Sequence, residues 1–139
     1  VVVWGIGLIP AHHRLRVYVR TYANLHDLNE AFALSCKAPP HIRVGAFSTR
    51  YYAPHVFAGM SFCRTRLSVE QLAHEAMHVA FAFADRAGWP AVKTGYVTTN
   101  AYSLNRAPAG NSREEHMAHY IGRLTKHVWH HWQVEGWVK

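Results

Sequence analysis

Residues 68–88 read SVEQLAHEAMHVAFAFADRAG. Ser68, with Gln71 three residues on, opens the stretch as a capping box. Glu70 sits in the first turn, where the helix dipole favours a carboxylate. Gly88 and then Pro90 close it. The stretch is therefore a helix from about residue 68 to residue 87. Leu72, Ala76, Val79 and Phe83 recur at helical spacing and give it one apolar face, suited to packing on a sheet.

The other side carries HEAMH, His74 to His78. Residues four apart on a helix lie one turn above each other, so His74 and His78 present both imidazoles to one point. That suits a tetrahedral zinc, which binds histidine nitrogen at about 2.0–2.1 Å. Glu75 is adjacent but off that line. A carboxylate there serves better as a base that takes a proton from water than as a ligand. With 12 histidines in the chain, HExxH arises in roughly 4% of shuffled sequences, so context has to carry the motif. Its place two turns into a capped helix, opposite an apolar face, supplies that context.

A catalytic zinc keeps three protein ligands. The metzincin pattern needs Gly at position 81 and His at position 84, where this chain has Phe81 and Ala84. Asp85 lies three turns from His74 on the same straight helix, too far to share an ion. Glu114 and Glu115 remain. Glu114 extends the stripe Met117, Ile121, Leu124, Val128; Glu115 extends Ala118, Gly122, Thr125, Trp129, whose small residues would let two helices approach. Asn111 with Glu114 and Ser112 with Glu115 are both possible capping boxes. Taking Asn111 and Glu114 as the cap pair leaves Glu115 for the metal.

Around this centre the pattern predicts a strand over 14–22, a helix over 24–35 ended by KAPP, and strands over 42–52 and 55–66. Residues 89–110 read as a long irregular excursion, and a last helix runs from about 110 to Trp132. The order β-α-β-β-α-α gives an α+β fold in one domain over residues 1–139, with a small mixed sheet packed on the HExxH helix and on a C-terminal ligand helix.

The bulk numbers agree. A chain of 139 residues that is 50% hydrophobic supports an ordinary core. The charge of +7 is scattered, with no basic stripe or recognised motif, which argues against a nucleic-acid binder. The apolar start VVVWGIGLIP is about half of a membrane span and lacks a signal peptide's basic region, so a cytoplasmic protein is expected. Cys36 and Cys63 are expected as free, buried thiols.

HEAMH, with EEHMAHYIG (114–122) placing Glu115 37 residues after His78, resembles the gluzincin zinc metallopeptidases, above all small, phage-like minimal zincins. In that group an E-x-x-A helix follows the HExxH helix, and the match here is Glu115 and Ala118 over roughly half the chain. The resemblance implies one zinc per chain on His74, His78 and Glu115, with Glu75 as general base and a peptide or protein as substrate. It implies a substrate-binding edge strand just before the HExxH helix, matched by HVFAGMSF (55–62), a segment that reads equally well as a plain core strand. Many members carry an Asp four residues after the ligand Glu, where this chain has His119, so Asp85 or a backbone oxygen is expected to orient a ligand histidine.

Tyr96, Tyr102, His119 and Tyr120 are candidate donors to a tetrahedral intermediate, each competing with an ordinary surface or packing role. His127, His130 and His131 read as an amphipathic helix end rather than a second metal site. Trp132 and Trp137 could mark a partner surface. The alternative function is a zincin-fold binding module with weak or no catalysis.

Overall fold

The computed structural model describes residues 2–5, 16–39, 41–51, 56–86 and 113–139. The elements are β1 (Val2–Gly5), β2 (Arg16–Tyr22), α1 (Leu25–Cys36), β3 (Ala46–Arg50), β4 (Val56–Cys63), a 3-10 turn (Arg64–Arg66), α2 (Val69–Arg86) and α3 (Arg113–Val134). The fold is α+β, with four strands in the order β1-β2-β4-β3. β2 runs parallel to β4, while β1 and β3 are antiparallel to their neighbours, so the sheet is mixed. A parallel pair needs a long crossover, and α1 with β3 fills it.

Val2–Gly5, a segment to which the sequence pattern assigns no element, pairs with Arg16–Val19 as β1. One expectation needs correction: the strand read over 55–66 ends at Cys63, and residues 64–66 turn as a 3-10 helix. The Cys63 thiol meets the Thr65 hydroxyl at 3.2 Å.

Strand β4 is the spine of the core, with Phe57 to Cys63 all buried. The pairing register with β2 slips between Arg16 and Val17, leaving Phe57 as an extra residue opposite that break. Phe57 and Ala58 therefore both join the cluster that α2 and α3 cover, with Val17, Val19, Met60 and Phe62. From α2 come Leu72, Ala76, Val79 and Phe83, the apolar face read from the sequence, all fully buried. From α3 come Tyr120, Leu124, Val128 and Trp132. Phe83 stacks on Tyr120 at 4.6 Å, and Phe62 meets Trp132 edge-on at 4.9 Å.

The opposite sheet face is covered in part by α1, through Leu28 packed with Phe47 and Cys63. Asn24 caps α1 by accepting from the Asp27 amide at 2.9 Å. Asn29 ties α1 to the segment before β3: its amide donates to the Val44 carbonyl at 3.0 Å, and its oxygen accepts from the Val44 amide at 2.7 Å. Those bonds set where β3 begins.

Helix ends follow local chemistry. Ser68 Oγ accepts from the Gln71 amide at 3.1 Å, so half of the expected capping box forms. The Gln71 side chain instead lies against Gly45, where a Cβ would meet Nε2 at 2.7 Å. At the far end of α3, Gly136 adopts φ 77°, the Trp137 amide donates to the Trp132 carbonyl, and the Gly136 amide donates to the Gln133 carbonyl. This is a Schellman stop. It folds Trp137 back onto the core under the Arg64 guanidinium, 4.5 Å from the ring centroid. Trp132 is fully buried, which removes it from any partner surface. No helix among the described residues is long and apolar enough to cross a membrane.

Candidate metal centre

The HExxH segment occupies the second and third turns of α2, beside the edge strand β3. The His74 side chain is 69% exposed. Its Nε2 lies 3.3 Å from the Nε2 of His78. Two nitrogens sharing one tetrahedral zinc at about 2.0–2.1 Å stand about 3.3 Å apart, so the separation matches that of two ligands on one such ion. The same separation also permits one imidazole to donate to the other.

Glu75, by contrast, is only 5% exposed. Its Oε2 accepts from the Ser48 hydroxyl of β3 at 2.7 Å. Its Oε1 lies 4.0 Å from His74 Nε2. The acid thus bridges the edge strand and the histidine pair. Sequence reading missed Ser48 because its partner is 27 residues away. The only local sign was a polar residue in the strand Ala46–Arg50.

A groove of about 420 Å³ runs along this edge. His74, Glu75 and His78 form one wall, Ala46 to Arg50 the floor, and Phe32 with Cys36 of α1 the other wall. Cys36 is exposed, contrary to the expected buried thiol, because the helix ends there and turns its last residue outward. Cys63 is buried as expected. Desolvation by the groove walls raises the Cys36 thiol above its usual range, which disfavours the reactive thiolate.

Of the two readings of HVFAGMSF, substrate-binding edge strand and core strand, the second holds: Val56–Cys63 forms β4, which is paired on both sides by β2 and β3 and has no open edge. The strand that ends the sheet beside the histidines is β3. Burial along β4 explains the difference: a strand with both faces covered belongs at the centre.

Glu114 and Glu115 fall in the first turn of α3, and their side chains lie outside the described residues. The same holds for the side chains of Asp85 and His119, and for Tyr96 and Tyr102 altogether. The packed face of α3 is Tyr120, Leu124, Val128 and Trp132, while Ala118 and Gly122 are exposed. The small residues Ala118 and Gly122 are therefore not where α3 packs, although Trp129 of the same stripe does meet the core, and the close-approach argument for Glu115 is withdrawn. The spacing and capping arguments stand apart from it.

Tyr120 is a core residue. It is fully buried between Phe83 and Phe57, and burial drives its phenol far above the usual range. It does not line the groove. Among the described residues, a group of three metal-ligating side chains with atoms within 4.8 Å of one another occurs at His26, Asp27 and Glu30. All three are exposed, and Asp27 already accepts from the Asn24 side chain. No such group forms at His127, His130 and His131 among the described residues.

No family model matches the chain, and no curated protein or solved structure matches it.

Proposed function

We propose that the chain is a zinc-dependent metallopeptidase of gluzincin type, a minimal zincin-like domain over residues 1–139 that acts on a peptide or protein inside the cell. The observation that carries the reading is the 3.3 Å approach of the His74 and His78 Nε2 atoms, with a buried glutamate between them and an edge strand.

His74 and His78 would hold one zinc per chain together with a carboxylate from the start of α3. Glu115 is taken as that carboxylate on the E-x-x-A spacing, and Glu114 is the alternative. Zinc, when bound, polarises a carbonyl and acidifies a water. Glu75 would serve as the base, accepting a proton at Oε1, the oxygen nearer His74. Strand β3 offers its outer backbone edge to an extended peptide, which would add one strand and lie in the groove beside Glu75.

The second reading is a zincin-fold binding module with little catalysis. It draws on His119, which stands where an orienting aspartate is expected. Glu75→Gln separates the two, since it preserves the side chain's size and its bond to Ser48 while removing the base. Peptide hydrolysis by the zinc-loaded wild type that disappears in Glu75→Gln supports the peptidase. A biological activity that survives the change supports the module.

A further inference from the structure

We infer that Ser48 is the positioning residue for Glu75, fixing one carboxylate oxygen so that only the other is free to take a proton. The inference rests on the peptidase reading.

A carboxylate of a helical glutamate rotates broadly about its last torsion, because that torsion has no steep staggered wells. Left alone, Oε1 and Oε2 would exchange and point in many directions. Here the Ser48 hydroxyl donates to Oε2 at 2.7 Å, the usual length of an O–H···O hydrogen bond. Ser48 lies on β3, which is held in register against β4 from Ala46 to Arg50. Its hydroxyl is therefore anchored to the sheet. With Oε2 tied to β3, Oε1 is left toward His74, at 4.0 Å from Nε2.

Burial makes the arrangement consequential. Glu75 is 5% exposed, so water cannot satisfy both oxygens from all sides. A buried carboxylate without a donor is costly, and the Ser48 hydroxyl is the hydrogen-bond donor found for it among the described residues. Ser48 also lies on the groove floor, so the strand offered to a peptide is the strand that holds the base. The Ser48 hydroxyl is bonded to Glu75, and its loss should leave the ligand pair intact.

The test uses the full chain as wild type, Ser48→Ala and Ser48→Thr, the last keeping the hydroxyl on a residue that strands accept. Three quantities are measured: zinc affinity by competition with a chelator, the 13Cδ resonance of Glu75 in metal-free protein labelled at glutamate, and kcat and KM on a peptide. Glu75→Gln assigns the resonance among the six glutamates. Ser48→Ala should shift the Glu75 resonance, lower kcat about 10- to 100-fold with KM within about twofold, and leave zinc affinity unchanged. Ser48→Thr should restore both the resonance and kcat. An unmoved resonance in Ser48→Ala, or an unchanged kcat beside an active wild type, overturns the role of Ser48 alone. A zinc-loaded wild type that hydrolyses no peptide overturns the peptidase reading itself, and the positioning role with it.

Discussion

His74 and Glu75 are neighbours in the chain but face opposite environments: the first is open to solvent, and the second is buried against the edge strand. Helical geometry turns successive side chains by about 100°, so one can serve as a ligand while the next reaches a different place. The nitrogens of His74 and His78 converge, and the Glu75 carboxylate is held aside from their meeting point. That division separates metal binding from proton transfer in the account above.

Glu75→Gln should therefore leave zinc content and thermal stability close to wild type while hydrolysis falls about 10²- to 10⁴-fold. Parallel metal analysis, melting curves and peptide assays check this. A variant that loses the ion along with activity would place Glu75 among the ligands instead.

The third ligand is decided by two alanine variants. Glu115→Ala should lower zinc affinity by orders of magnitude, and Glu114→Ala should change it little. Chelator competition on each protein measures both. The reverse result assigns the ligand to Glu114 and makes Glu115 the capping partner of α3.

Asn29→Ala should destabilise the fold by about 2–4 kcal/mol, because it removes both bonds to Val44 and leaves that backbone pair without its side-chain partner. Urea unfolding measures the loss. Since Asn29 fixes the entry to β3 and lies outside the groove, zinc affinity should persist under folding conditions.

Tyr120→Phe should be neutral or stabilising, by up to about 1 kcal/mol, and should leave kcat unchanged. Its hydroxyl is buried with no partner among the described residues, so removing it sheds a desolvated polar group. A large loss of kcat would return Tyr120 to the list of transition-state donors.

Much of this architecture could be read from the chain. Helix α2 announces itself through Ser68, the spacing of Leu72, Ala76, Val79 and Phe83, and the glycine beyond, because capping and amphipathic burial are local signals. Strand β1 was missed, since VVVWG is apolar throughout and shows no alternation until a partner strand is supplied. The central place of β4 stayed open between a core and an edge reading, and burial along both its faces decides for the core. The polar half of β3, Ser48 to Arg50, in turn suits an edge. The histidine pair was legible because four residues make one helical turn. The Ser48 bond and the Phe83–Tyr120 stack were not, because strand register and helix docking set them across long sequence separations.

The central claim is that one zinc ion is held by His74, His78 and a carboxylate of α3. Metal analysis of the purified full chain, beside His74→Ala and His78→Ala, tests it most directly. The account predicts about one zinc per wild-type chain and nearly none in either variant at matched folding. A well-folded wild type that takes up no zinc from ample supply, or variants that retain it fully, would contradict the account.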